Sequence, residues 1–389
     1  MIVIVEAVRT AMGGFQGSLS SYTAPDLGAA AIKEVVARSG LQPNEIDEVI
    51  MGCVLPAGLK QGPARQAMRQ AGLPDATGAT TINKICGSGM KAVIQAADAI
   101  KAGSAEIVVA GGMESMSNAP YLMDKARAGF RMGHGKVTDH MFQEGLEDAE
   151  TGLSMGILAQ DMADKKGYTR EQQDQYAIAS LNKAVAAIEG GFFKDEIVPV
   201  VVSSRKGQVT VDQDEQPLNA KVDKIPSLRP AFKKDGTITA ANASSISDGA
   251  SALLVTSSEI AAERGLTPLA NIVAYASHSQ HPSEFTIAPV GAIEKVLKQT
   301  GWNAKEVDLW EINEAFAMVT MAAIDAFDLD TAKVNINGGA CALGHPLGSS
   351  GSRIIVTLIH ALKRTGGKKG IAALCIGGGE ATAIAVELV

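Results

Sequence analysis

Residues 31–49, AIKEVVARSGLQPNEIDEV, and residues 292–310, AIEKVLKQTGWNAKEVDLW, align without a gap, so that Gly40 meets Gly301 and Asp47 meets Asp308. Each copy reads as an amphipathic helix, a glycine stop, a short turn and a buried strand. A looser echo follows. Cys86 to Gly112 runs Gly-Ser-Gly, helix, Gly, apolar strand, Gly-Gly, and Gly348 to Gly379 does the same with a slightly longer connection. The helices of this second pair carry Ala, Ile and Val on more than one face, so they must be covered on both sides, as helices between two sheets are. The expectation is two related α/β halves whose strand ends and Gly-rich turns meet across a pseudo-twofold axis.

Between the halves the chain changes character. From about 118 to 241 it is richer in Met, charge and Gly, with one clear helix, TREQQDQYAIASLNKAVAAIEGG, opened by a Thr169/Gln172 capping box. SDGASALLVTSSEIAAERG (247–265) then reads again as strand and helix, so the segment interrupts the first half. The expected divisions are 1–117 plus 242–266, an inserted loop domain at 118–241, and 267–389.

Bulk properties exclude several classes. A formal net charge of −7 argues against a nucleic-acid coat or an anionic-membrane binder. No apolar run is long enough for a membrane span, and the start, MIVIVEAVRT, reads as a first strand rather than a signal peptide. Four cysteines without CxxC spacing suggest free thiols in a reducing, cytoplasmic setting. Charge is uneven, however. Lys221, Lys224, Arg229, Lys233 and Lys234 face only Asp223, and Lys125, Arg127, Arg131 and Lys136 face only Asp124. Such clusters are solvated faces or receivers of a phosphorylated small molecule.

Equivalent turns of the two halves would bring together Cys86, the NEAF run from Asn313, the GHPLG run around His345, and Cys375 in CIGGG. Each has a packing reading. Cys86 and Cys375 could be small core side chains, His345 a structural hydrogen-bonder and Asn313 a cap. Together they suggest more. A thiol at a helix N-terminus has its thiolate favoured, a histidine beside it activates it, and glycine-rich turns let backbone N–H groups approach an oxyanion. A second thiol can serve as a separate acid/base group. Two cysteines and one histidine suit acyl transfer coupled to making or breaking a C–C bond.

NKICGSGMKA, GGMESMSNAP, LRPAF, TAANASSISDGA, EINEAFA, NINGGACALGHPLGSSG and LCIGGGEATA, in order over essentially the whole chain, resemble the thiolase family, and within it the short-chain acetyl-CoA acetyltransferase type. The resemblance implies a five-layered αβαβα arrangement of two α/β halves with an inserted loop domain. It implies Cys86 as the acyl-carrying nucleophile, His345 as its base, Cys375 as acid/base at the α-carbon, and Asn313 as holder of a water in one oxyanion hole. The N–H groups of Cys86 and Gly377 would form the other. Leu146, Met155, Phe232, Ala240 and Ser244 would line the coenzyme A channel, with Ala315 and Phe316 at its reacting end. No cofactor is implied, since acetyl-CoA, acetoacetyl-CoA and CoA are substrates and products. The resemblance also implies a homotetramer, a dimer of dimers associating through KARAGFRMGHGK.

Three departures bear on substrate. Ser154 stands where relatives have histidine, DEQPLNAKVDK lacks an arginine placed near the adenosine phosphates, with Lys221 or Lys224 as substitutes, and Phe285 stands where acetoacetyl-specific relatives have methionine. The alternatives are a degradative 3-ketoacyl-CoA thiolase of longer-chain fatty acid metabolism, a decarboxylating ketoacyl synthase, disfavoured by the second cysteine, and a silent acyl-CoA binder. Cys86 and Cys375 could also pair as a redox switch.

Overall fold

The protein is described by a computed structural model over residues 1–204 and 207–389. The first half contributes β1 (Ile2–Thr10), α1 (Ala24–Ser39), β2 (Glu48–Gly52), β3 (Gly78–Ile82), α2 (Ser88–Ala102) and β4 (Ile107–Ser115). The chain then leaves the core through α3 (Met155–Lys166) and α4 (Arg170–Glu189), the latter opened by the expected Thr169/Gln172 capping box. It returns with β5 (Ser247–Ser257). The second half follows as β6 (Ala270–Ser279), α5 (Ala288–Thr300), β7 (Leu309–Ile312), α6 (Ala317–Phe327), α7 (Leu347–Thr365), β8 (Lys369–Ile376) and β9 (Glu380–Leu388).

The duplication read from the sequence is reproduced in the hydrogen bonding. In the first half β1 pairs antiparallel with β5, β5 antiparallel with β4, and β4 parallel with β2. In the second, β6 pairs antiparallel with β9, β9 antiparallel with β8, and β8 parallel with β7. The aligned helices α1 and α5 both stop at a left-handed glycine, Gly40 and Gly301. The halves differ at their outer edges. β3 extends the first sheet beside β2, whereas the corresponding edge of the second holds only one parallel bridge, Trp310 to Val334. The two sheets also touch: Val3 pairs with Asn271 and Ile4 with Ala270, which joins β1 to β6.

Strand alternation sorts the apolar residues into layers. On β4, Ile107, Val109 and Met113 pack with α1, while Val108 and Ala110 pack on the other face with Val93 of α2 and Ile355 of α7. On β8, Ala372 and Leu374 face that same middle layer, while Ile371 and Ala373 face Ile293 and Val296 of α5. The order is helix, sheet, paired central helices, sheet, helix. Being sandwiched, α7 is buried at every residue from Leu347 to Ile359, its Ser, Thr and Arg side chains included. The inserted segment is tied to this frame rather than separate from it. Ile197–Val198 pairs with Arg9–Thr10, and the buried Arg9 guanidinium binds Asp214 and Glu196.

The central helices meet where only glycine fits. A Cβ on Gly112 of β4 would lie 1.8 Å from the Gly348 carbonyl oxygen, and one on Gly52 of β2 2.8 Å from the same atom. A Cβ on Gly351 of α7 would lie 2.4 Å from the Met90 nitrogen of α2. Backbone thus packs on backbone where the helix starts and strand ends of the two halves cross. Gly112→Ala is expected to cost about 3 kcal/mol, the upper range for an overpacked core, measured as the shift in denaturant midpoint. Wild-type stability in that variant would show that the crossing yields.

Candidate active site

Gly89 of α2 joins the crossing, since a Cβ there would lie 2.7 Å from the Ser352 nitrogen, and Cys86 and His345 stand three residues before Gly89 and Gly348. Cys86 sits in the turn between β3 and α2, and the turn is tightly held. Ser88 Oγ accepts from the Lys84 N–H at 2.8 Å and donates to the Ile85 carbonyl at 2.6 Å. Ile85 has φ +47°, a genuine outlier for a β-branched side chain. Strain of this kind persists only where the surroundings over-determine it, and here it aims the next residue, the thiol, into a cavity.

That cavity, of about 300 Å³, is lined by Cys86, His345, Cys375 and Gly377. The two thiols therefore share one chamber although they come from different halves, and both are free. Burial pushes the Cys86 thiol up to about 11, opposed by the backbone N–H groups of Gly377 and of Cys86 itself. Those N–H groups hence converge on the sulfur. Burial also raises Cys375 well above the ordinary thiol range, and the Cys86 charge adds to it. Burial and the positive charge of Arg353 lower His345 to about 3, so its imidazole is neutral at physiological pH. The resting site holds neutral thiols beside a neutral base.

The imidazole is oriented from both ends. Its Nδ1 lies 2.5 Å from Ser350 Oγ, whose single proton goes to the Pro346 carbonyl at 2.9 Å. Ser350 must then accept, which places the imidazole proton on Nδ1 and leaves Nε2 free as the base. Asn313, carried on the end of β7, approaches Nε2 with its Nδ2 at 3.5 Å. Asn313 Oδ1 is buried without a hydrogen-bond partner among the described residues.

Leu146, Met155, Phe232, Ser244, Ala315 and Phe316 line the same cavity, as does Phe285. Phe316 stands edge-on to both Phe232 and Phe285, with ring centroids 6.1 and 6.3 Å away, so three rings form one wall. Ala240 lies outside the chamber. The chain turns tightly here, the Ala243 N–H bonding to the Thr239 carbonyl. Ala243 and Ser244 consequently face the thiols, while Ala240 lines a neighbouring cavity with Lys221, Lys224 and Cys341. The basic run is likewise divided. Lys233 is taken up by Asp164 at 2.7 Å, whereas Lys221 and Lys224 line that neighbouring cavity.

Some of the site escaped the sequence reading. Met141, Phe142 and Leu347 add to the apolar wall, and nothing in their local pattern separates them from core residues. Ser350 was discoverable in principle, since it lies five residues after His345 and one helical turn into α7.

Comparison with known proteins agrees with this geometry. The family described as Thiolase, N-terminal domain matches residues 2–259, and Thiolase, C-terminal domain matches 266–388. The chain is 51% identical over 385 residues to an acetyl-CoA acetyltransferase of Pseudomonas aeruginosa, covering 98% of each. It is 51% identical over 388 residues to one from Cupriavidus necator, covering 99% of each. Among solved structures, the Bacillus anthracis acetyl-CoA acetyltransferase superposes with a TM-score of 0.97 at 43% identity, covering 100% of this chain and 98% of that one. The Acat5 thiolase from Ascaris suum, solved in complex with coenzyme A, superposes with a TM-score of 0.94 at 44% identity over 100% of both chains. With two thiols and an imidazole in one chamber between duplicated halves, and both family domains matched end to end, this chain belongs to the thiolase family.

Proposed function

We propose that the protein is an acetyl-CoA C-acetyltransferase, which condenses two acetyl-CoA reversibly to acetoacetyl-CoA and CoA through an acetyl-Cys86 intermediate. The observation that carries the reading is the convergence of Cys86, Cys375, His345 and the Gly377 N–H on a single small cavity. In the first half-reaction His345 Nε2 takes the Cys86 proton and the sulfur attacks the thioester carbonyl, whose oxygen is met by the N–H groups of Cys86 and Gly377. The departing CoA sulfur takes its proton from Cys375. This leaves Cys375 as a thiolate and His345 as an imidazolium.

In the second half-reaction the Cys375 thiolate removes an α-proton from a second acetyl-CoA. Acylation has by then removed the Cys86 charge that opposes a thiolate at Cys375. The enolate oxygen faces the imidazolium and a water held by the unpartnered Asn313 Oδ1. A preorganised donor of this kind is worth about 2.7 to 4 kcal/mol. The carbanion attacks acetyl-Cys86, and the released sulfur recovers its proton from His345. Protons and acyl group balance, and each transfer is assigned to a group of this chain.

The apolar length of the chamber suits a pantetheine arm. Lys221 and Lys224, with Ala240 beside them, are suited to the phosphates of its nucleotide end. The three-ring wall, in which Phe285 is only 3% exposed, supports a short acyl group over the longer-chain alternative. Loop 124–136 supports assembly as a dimer of dimers, since Met132 stands 97% exposed among its cations, and light scattering reads the mass.

Treatment with acetyl-CoA is expected to leave one acetyl group on Cys86, read by mass spectrometry of the peptide. Steady-state cleavage should favour acetoacetyl-CoA over 3-ketooctanoyl-CoA. An unmodified Cys86 would overturn the enzymatic reading, and preference for the longer chain would overturn the short-chain assignment.

A further inference from the structure

Glu114 closes strand β4 inside the molecule, fully buried and far from any role in the steps above. No cation pairs with it among the described residues. Its carboxylate is met instead by three backbone N–H groups and one thiol. Oε1 accepts from the Leu55 N–H at 3.1 Å and lies 3.7 Å from Cys53 Sγ. Oε2 accepts from the Val54 N–H at 3.0 Å and from the Gly348 N–H at 2.8 Å. A buried carboxylate is costly and is weak evidence of stabilisation, so what it joins is the more informative property.

Oε2 joins the two catalytic segments. On one side, the Val54 carbonyl accepts from Asn83 Nδ2 at 3.4 Å, and Asn83 Oδ1 accepts from the N–H of Ile85 at 2.9 Å, the strained residue directly before Cys86. On the other side, Gly348 opens α7 three residues after His345. Both lines start from one oxygen atom. The approach depends on the glycine, because a Cβ on Gly348 would stand 2.9 Å from Oε2 and 2.7 Å from the Met113 carbonyl oxygen. Burial pushes the Glu114 carboxyl up to about 7, while the three N–H groups oppose that rise. A charge there also raises the Cys86 thiol.

We propose that Glu114 is a positioning residue for acyl transfer, its Oε2 fixing the strained turn that aims Cys86 relative to the turn that carries His345. The assignment rests on the function proposed above. It makes an unusual demand on a variant. Glu114→Gln replaces one acceptor by a donor, so a bond to Gly348 or to the Val54–Leu55 segment is lost and the two turns drift apart. The same change removes a charge that disfavours the thiolate. Chemistry that needs both turns must slow, while alkylation of Cys86 by a small reagent must not.

The test compares wild type, Glu114→Gln and Glu114→Asp in three measurements: acetylation of Cys86 by acetyl-CoA, kcat and KM for acetoacetyl-CoA cleavage, and the rate of Cys86 alkylation by iodoacetamide. For Glu114→Gln we expect kcat and acetylation to fall by up to about 100-fold, the loss for a ~1 Å misplacement of a reacting group, KM to stay within about threefold, and alkylation to be unchanged or faster. Glu114→Asp should recover part of kcat. An unchanged kcat, or equal losses in acetylation and alkylation, would overturn the proposal. Should Glu114→Gln not fold, amide exchange on the wild type decides: the Val54, Leu55 and Gly348 amides should exchange as slowly as those of β4, and faster local exchange at any of them would remove the clamp. If wild-type Cys86 takes no acetyl group, it is the function that fails, and the amide-exchange result for Glu114 still stands by itself.

Discussion

Cys375→Ala is expected to reach close to the wild-type extent of acetyl-Cys86, more slowly because the departing CoA sulfur loses its proton donor, yet to lose condensation and α-proton exchange by about 10²- to 10⁴-fold, the usual contribution of a positioned acid/base group. The distinction is possible because the thiols sit in one chamber but on different elements, Cys86 in the turn before α2 and Cys375 on β8. Loss of the second sulfur leaves the N–H groups around the first in place. The measurement is deuterium uptake at the methyl group of acetyl-CoA in heavy water, alongside the acetyl adduct on Cys86. Uptake at the wild-type rate would assign the proton transfer to another group.

His345→Ala is expected to slow Cys86 acetylation by about 10²- to 10⁴-fold, or roughly 3 to 5.5 kcal/mol. With the thiol pushed up to about 11 by burial, the sulfur is almost wholly protonated near neutrality and needs a base beside it. The residual rate of the variant should therefore rise about tenfold for each pH unit between 7 and 10, as hydroxide takes over deprotonation. The wild type should show no acidic limb from the imidazole, which burial and Arg353 lower to about 3. Rapid-quench acetylation across this pH range tests both statements. A variant with a flat profile and near wild-type rate would mean that Cys86 is activated without His345.

The duplicated halves were legible because periodicity and glycine stops are local signals. Gly40 and Gly301 end their helices at the aligned positions, and the strand pairings of the two halves match partner for partner. Cys86, His345 and Cys375 could be placed together because each borders a Gly-rich turn of the repeated unit. The side of a tight turn is a different matter. Ala240 and Ser244 are four residues apart, and bonds of the turn such as Ala243 N–H to the Thr239 carbonyl and Ser244 N–H to the Ala315 carbonyl turn them toward different cavities. The cations at 221–234 read as one patch, yet Asp164, distant in sequence, claims Lys233. Glu114 acts through backbone groups brought in from other elements, and no spacing within GGMES encodes those partners, whereas Ser350 bonds within its own turn to His345 and the Pro346 carbonyl.

The glycine crossing at Gly52, Gly112, Gly348 and Gly351 works as a gauge block. Its thickness is set mainly by backbone contacts, so a side chain added at any of these four positions would force the halves apart rather than tune the spacing by a small step. Acyl range, by contrast, is written in the rings of Phe232, Phe285 and Phe316, where size can change gradually. Redesign toward bulkier substrates has its room in that wall and none at the junction of the helices.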